Sequence, residues 1–460
     1  MHIKKFDSNY SRRFFMKQVA SGALATGVLA PLWPTIAMGR TLENVYPDEI
    51  SSFEGLTKGK INNGDVIDAN NVDHLKDYMD EVAFMQVKEM SREIDTHATT
   101  TDPGYLSPPD YLSASVKNTG RGTFNAEGNV VTDDGSAWLG GNPFPDAKTG
   151  REAFANITMS WGRYDNTFYA IQEDDLNPDG TTAYSYDFAW IEMQATGRTG
   201  DGGPYFKDKQ DMIRYQTVFF SSPQDVKGTA FLSSWPYDQR KFPELQGYLP
   251  AFKRVRRFPT NQRFEPLLPG PTWYLSDAWG AGDPWLTWGN FKIVHRGPMV
   301  GPAGAGNFNS KGDNWKRERT GGPLGTSFFR SSYEVIPDVI VIECEPVGYP
   351  RAPISKRRVY IDARTMVTYT SVNYDRQGKV FKNFEHGNGV SIDKDGKLTK
   401  AYKGGPLWSW NFVIVHDVQT GRISLPQLVE SMSGGYKTHY DDAADYDRYL
   451  TKSAIRRLGA

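Results

Sequence analysis

The chain has one cysteine, Cys344, in 460 residues, so it can form no internal disulfide and no cysteine-rich zinc site. Cys344 lies in the strand-like run Val339–Cys344 and reads as a small buried hydrophobe. There is no phosphate-binding glycine loop, no dinucleotide-binding glycine fingerprint, no G-x-S-x-G elbow and no haem-attachment motif. The histidines after the N-terminal segment are His74, His97, His295, His386, His416 and His439, and no two fall at H-x-H or H-x-x-x-H spacing. Basic residues are not in excess, so nucleic acid is not an expected partner. Long apolar runs are missing after residue 39, and a soluble body is expected there. No metal and no cofactor is expected.

What the chain does have begins at residue 11. Ser11-Arg12-Arg13-Phe14-Phe15-Met16-Lys17 carries the paired arginines of a twin-arginine export signal. Val19 to Leu32 is apolar and too short to span a bilayer, and Ala37-Met38-Gly39 offers a small-x-small cleavage pattern. Residues 1–39 are therefore expected to be a signal peptide read through Arg12 and Arg13, with the mature protein in the periplasm or peripheral to the outer membrane. That segment holds five basic residues (Lys4, Lys5, Arg12, Arg13, Lys17) and one acid (Asp7). Removing it leaves 48 basic against 53 acidic residues, a mildly acidic chain.

Residues 40–62 read as irregular. From Asp68 to Ile94, apolar residues recur at three- and four-residue steps (Val72, Leu75, Met79, Val82, Met85, then Val87, Met90, Ile94), which predicts one long amphipathic helix. Its methionine-rich stripe suits either core packing or a flexible wall over an apolar ligand. After residue 150 strands dominate, among them Tyr215–Phe220, Thr229–Leu232, Ser332–Cys344, a hairpin over Arg358–Tyr374 and Phe412–Asp417. Pro266–Gly325 reads as loops, and residues 431–460 as a charged tail, with a short exposed terminal helix expected within 440–460. The sum is an α+β chain with a mostly antiparallel sheet.

With 12 Trp, 24 Tyr and 25 Phe, the core can be large or a cavity can be aromatic-lined. Trp273, Tyr274, Trp279, Trp285 and Trp288 crowd one Gly/Pro-rich stretch, entering a core or holding a ligand. Lys253-Arg254-Val255-Arg256-Arg257 alternates cations along a strand: either a charged edge that discourages aggregation, or an electropositive rim for an acidic headgroup formed by Arg254, Arg256 and Arg257. Glu265, Asp277 and Asp283 could supply acid/base chemistry near the tryptophans. His416-Asp417 sits at a strand end, where neighbouring side chains point to opposite faces. The acidic run Tyr440–Asp447 reads as a solvated face rather than a calcium loop.

Several runs together resemble a large proteobacterial family of unknown function, number 1329 among such domains. They are Gly64-Asp65-Val66-Ile67 with Asn71-Val72, Gly141-Asn142-Pro143-Phe144-Pro145, Asp225–Ala230, Tyr248-Leu249-Pro250 before Arg254–Arg257, and Val359–Asp362 with Tyr374–Gly378. That family is similar to periplasmic lipoprotein carriers. The resemblance implies a curved open antiparallel sheet, an incomplete barrel wrapping an amphipathic helix, over residues 63–430. The Asp68–Ile94 helix would lie on the concave side. It also implies binding of a lipid or other hydrophobic small molecule in envelope transport. From the methionine stripe, the cationic strand and the tryptophan stretch, the expected ligand contacts are Met79, Val82, Met85, Arg254, Arg256, Arg257, Trp273, Trp279 and Trp285. The expected protein partners are the twin-arginine translocase during export and an envelope transporter. An enzyme acting on a hydrophobic substrate, and a structural or sensor subunit beside an exporter, stay open as alternatives.

Overall fold

The computed structural model describes residues 46–159, 163–259, 263–277, 283–304, 322, 327–391, 397–398 and 407–459. The segment with Arg12 and Arg13, and Trp279, lie outside them. Short strands β1 (Val66–Ile67) and β2 (Ile94–Thr96) precede a small separate hairpin, β3 (Gly122–Phe124) with β4 (Val130–Thr132). Two long meanders follow. The first is β5 (Asn166–Leu176), β6 (Thr182–Gln194), β7 (Met212–Ser222), β8 (Ala230–Pro236), β9 (Glu244–Leu249) and β10 (Arg254–Phe258). The second is β11 (Gly289–Gly301), β12 (Ser331–Glu345), β13 (Ile354–Asp362), β14 (Val367–Asp375), β15 (Val380–Val390), β16 (Trp408–Asp417) and β17 (Arg422–Val429). Strand β17 pairs antiparallel with β5, fusing the meanders into one sixteen-stranded sheet that is not closed; β10 ends one side and β11 pairs only with β12 at the other.

The sheet is covered on both faces, which explains why β12 reads as a continuous apolar run rather than an alternation. Its Ile340, Ile342 and Cys344 join one cluster with Ala153, Phe154 and Ile157 of the helix Gly150–Met159. Its Val339 and Val341 join another with Val82. The sheet curls toward the first of these faces. Between β13 and β8 lie eight strand-to-strand steps, about 38 Å along a flat sheet. Yet three side chains bridge them: Arg357 of β13 lies 4.6 Å from the Trp288 ring, Trp288 Nε1 donates to Asp283 (3.0 Å), and Asp283 pairs with Arg263, which lies 5.0 Å from Trp235 of β8. The face holding Gly150–Met159 and the tryptophan loop is therefore concave.

The expected Asp68–Ile94 helix is corrected in two ways. It is broken: Val72–Leu75 is one 3₁₀ turn, α-helix starts only at Glu81 and ends at Glu89, and Ile94 already belongs to β2. The break has local causes. The Tyr78 carbonyl is taken by Val300 N–H of β11 (2.8 Å), and Asp80 caps the new helix by accepting from Val82 and Ala83 N–H, both 3.0 Å. It also packs on the convex face; the helix that the concave side wraps is Gly150–Met159, which has eight buried residues of ten. At the other end the terminal segment is two short helices, Asp445–Tyr449 and Lys452–Leu458, with Leu450, Ala454 and Ile455 buried against the convex face of β5–β9.

The β13–β14 hairpin shows how a single turn organises one end of the sheet. Asp362 accepts from the backbone N–H of Arg364 (2.9 Å) and from its guanidinium, and Arg364 reaches on to Glu334 of β12 (2.7 Å) and the Thr100 carbonyl (2.9 Å). Asn142 and Arg163 both donate to the Thr365 carbonyl at 2.9 Å. These buried groups tie Thr100, Asn142 and Arg163 to the hairpin.

Candidate functional site

The concave face has two halves with different covers. Over β12–β13 it is covered by Gly150–Met159 and its neighbours. Over β5–β8 and β15–β17 it presents an aromatic wall, including Tyr169, Ile171, Tyr186, Phe188, Trp190, Val218, Phe220, Phe384, Trp410 and Val413. Among the described residues, what packs on that wall from outside regular structure is mainly the loop 263–277, through Trp273 and Leu275 with Leu267 and Leu268. The crowding of aromatics in this stretch is thus explained by entry into the interior, while the loop itself has no helix or strand to hold it.

It is held by polar clamps instead. Lys382 Nζ donates to the Thr272 carbonyl (2.8 Å) and pairs with Asp277 (2.5 Å), its ammonium 3.1 Å from the Tyr274 ring centroid. Arg357 donates to the Ser276 carbonyl (2.5 Å), to Asp277 Oδ1 (2.8 Å) and to Asn373 (2.8 Å). Thr272 N–H donates to Ser424 Oγ (2.8 Å), and Trp273 Nε1 to Glu173 Oε1 (2.7 Å). Arg357, Lys382 and Asp277 are all essentially without solvent exposure. Burial pulls the Lys382 ammonium down to about 8, with the Asp277 carboxylate acting against that shift.

Under Trp273 lies a pair of buried carboxyls. Glu173 and Asp175 sit two apart on β5 and so share its concave face. Burial, and then the Asp175 charge beside it, hold Glu173 well above the ordinary carboxylate range. Burial lifts Asp175 to about 6, although the Ser424 hydroxyl donates to it. Further along the same face, burial lifts Glu192 to about 7 against the pull of Arg214. The wall is mainly apolar with a few buried polar groups, as a site for a largely hydrophobic ligand requires. Gly270 is needed where the loop passes Asp175: at its φ of 111°, a Cβ would stand 2.6 Å from Asp175 Oδ2 and 2.8 Å from the Tyr184 ring.

The residues singled out from the sequence fall in separate places. Trp273 is on the wall, Trp285 is fully buried in the cluster around Gly150–Met159, and Trp279 lies outside the described residues. Met79 and Val82 are buried on the convex face and Met85 is half-buried there, packed with β11–β14. Arg254, Arg256 and Arg257 are exposed on edge strand β10. Asp277 and Asp283 form no acid/base pair: each is tied to buried cations, Asp277 to Arg357 and Lys382, Asp283 to Arg263, and Glu265 is exposed. His416 is buried on a cluster flank with Nδ1 3.2 Å from Gln86 Nε2, and burial lowers it to about 4. The acidic run near residue 445 is not simply solvated. Asp445 is buried, bound by His439 (2.8 Å) and Asn166 (3.1 Å), and clasps the C-terminal segment to β5. His439, Asp442 and Asp445 bring ligand atoms within 4.8 Å of one another, but Arg448 already pairs with Asp442 (2.6 Å).

The fold is a large unclosed, mostly antiparallel sheet curled around a helix and a clamped loop. The chain belongs to the DUF1329 family, described as protein of unknown function, which matches residues 66–456. Three solved structures are distantly similar. A domain from Vibrio parahaemolyticus described as outer membrane lipoprotein-sorting is 15% identical with a TM-score of 0.44, over 67% of this chain and 99% of that one. A DUF1329 family protein from Desulfovibrio piger is 13% identical with a TM-score of 0.42, over 66% and 97%. A LolA superfamily protein from Nitrosomonas europaea is 11% identical with a TM-score of 0.37, over 67% and 100%. A search of curated proteins finds no match. No described helix is long and apolar enough to cross a membrane.

Proposed function

We infer that the protein binds a hydrophobic molecule, such as a lipid, on the aromatic wall of β5–β8 and β15–β17, and carries it within the bacterial envelope. The observation that supports this is the cover of that wall. Trp273 and Leu275 occupy it from a loop that holds on through hydrogen bonds and ion pairs, so a ligand can take their place when the clamps release. Burial biases Glu173, beneath Trp273, toward its neutral form, which suits an apolar ligand there. The natural test is uptake of an environment-sensitive fatty-acid probe, together with native mass spectrometry after mild isolation. Saturable uptake of about one probe per chain is expected. Met79→Trp serves as a control: it strains the convex core, costing about 1–3 kcal/mol, and leaves uptake unchanged. A parent protein that takes up no probe defeats the carrier reading. Turnover of an ester-linked probe, lost in Glu173→Gln, would instead favour an enzyme that uses the Glu173 and Asp175 pair.

Export by the twin-arginine route to the periplasm belongs to the same proposal and rests on Arg12 and Arg13. Changing both to Lys is expected to leave precursor in the cytoplasm, and N-terminal sequencing of the exported protein is expected to start near Arg40. Normal processing of the double variant would exclude that route.

A further inference from the structure

At the open end of the first meander, three elements finish together. The helix Lys452–Leu458 ends at Gly459, the β7–β8 turn passes through Gly228, and the β9–β10 hairpin turns at Pro250–Phe252. They touch: a Cβ on Gly228 would lie 3.1 Å from the Gly459 Cα and 3.3 Å from Pro250 Cγ. Exposed cations stand on all three elements: Lys227 on the turn, Lys253, Arg254 and Arg256 on the hairpin, and Arg456 on the helix, whose Arg457 instead donates to the Asp447 carbonyl (2.7 Å). At the far end of β9, Glu244 is paired with Arg257 (2.5 Å), and Asp225 is exposed in the turn.

In the same place stands Phe252, half exposed at the hairpin tip, with the Arg256 guanidinium 4.1 Å from its ring centroid. A lone exposed aromatic is ordinary. An aromatic at the tip of a hairpin whose Lys253, Arg254 and Arg256 are exposed, on a chain with no net excess of basic residues, is a local arrangement with a definite complement. The cations match a plane of phosphates, and the ring can enter the region between headgroups and acyl chains. The hairpin also adjoins the aromatic wall, since Leu249 and Phe258 pack against that wall's cluster.

We propose that this end of the sheet docks the protein on a membrane surface rich in anionic phospholipid, with Phe252 entering the interface. The docking does not depend on ligand binding; it adds to the carrier reading a point of contact with the membrane beside the wall. The probe is vesicles of phosphatidylcholine with or without about one-third phosphatidylglycerol. The protein is expected to co-sediment with the anionic vesicles, not with the neutral ones, and to be released as salt is raised. Each cation near such a surface is worth about fivefold in partition, so Lys253→Gln with Arg254→Gln lowers partition about 25-fold. Phe252→Ser lowers it roughly tenfold. These side chains are exposed, so melting temperatures stay close to the parent's. Phe252→Cys can be labelled with an environment-sensitive dye because Cys344 is buried, and its emission is expected to shift blue on anionic vesicles alone. Lys227→Gln with Arg456→Gln is an independent pair from the other two elements. Equal binding to neutral vesicles, or partition unchanged in both charge pairs, overturns the proposal. So does capture of an acidic protein without any vesicle binding. None of these outcomes bears on fatty-acid probe uptake, which tests the wall separately.

Discussion

Asp80→Asn is expected to stabilise the protein at pH 8 by a few kcal/mol and to change nothing near pH 4. Asp80 caps the helix Glu81–Glu89 from a buried position, accepting from two backbone N–H groups. Burial raises its carboxyl to about 7, the Ala83 N–H opposes this, and the charge of Glu385 adds to it. The sign follows from linkage: a group whose folded pKa lies above its unfolded value contributes stability that is fully present below the unfolded pKa and lost as pH rises through the folded one. For Asp80 the window runs from about 4 to about 7, and the loss across it is about 1.4 kcal/mol for every pH step of one. Asparagine caps helices about as well as aspartate and carries no charge to bury, so the variant escapes the loss. His386 and His416, which burial lowers to about 4, push the parent the other way, losing stability as pH falls from about 6.5. The quantity to measure is therefore the difference between variant and parent in urea unfolding at each pH. A difference independent of pH, or a destabilised variant at pH 8, would show that Asp80 is ionised and satisfied in the fold.

The same residue shows where sequence reading succeeds and where it stops. The apolar stripe Leu75, Met79, Val82 and Val87 is buried, because three- and four-residue spacing constrains a face whether or not the helix is continuous. The break at Asp80 depends on Val300 claiming the Tyr78 carbonyl, a contact far along the chain that no local pattern records. The hairpin over Asp362–Met366 is legible because its turn chemistry is local: Asp362 accepts from Arg364 N–H two residues on. Strand β11 reads as loop because its glycines and proline look like punctuation, whereas it is an irregular edge strand with three register shifts against β12. The helix Gly150–Met159 is hidden by its near-complete burial, which removes the polar face that periodicity needs.

The candidate site is the least legible part. Glu173 and Asp175 belong to the run Glu173-Asp174-Asp175, which looks like a solvated patch. Strand alternation gives the missing signal, since it sets 173 and 175 on the face of Tyr169 and Ile171. Lys382 and Arg357 are single charges in ordinary strands, and their meaning comes only from the loop laid across them.

That loop carries the other large effect. Asp277→Asn is expected to unlatch residues 263–277 and to increase uptake of an apolar probe severalfold. Asp277 is the shared counter-ion of two buried cations, and it also accepts from Tyr274 N–H (3.0 Å) and Asn373 Nδ2 (3.0 Å). The amide keeps the size and loses the charge. Lys382, already pulled to about 8 by burial, can then release its proton near neutral pH. Arg357 cannot, and an unpaired buried guanidinium costs about 3–5 kcal/mol if the surroundings stay closed. Lifting the loop lets water reach both cations and forfeits only the contacts of Trp273, Leu275 and their neighbours. The cheaper response is therefore local opening, read as faster amide exchange confined to residues 263–277 beside a smaller drop in global stability. Adding Lys382→Met removes one of the two stranded cations and is expected to restore part of the closure and lower uptake again. If Asp277→Asn instead loses its stability globally, with exchange rising everywhere and no gain in probe uptake, the clamp is core structure and the loop is not a movable cover.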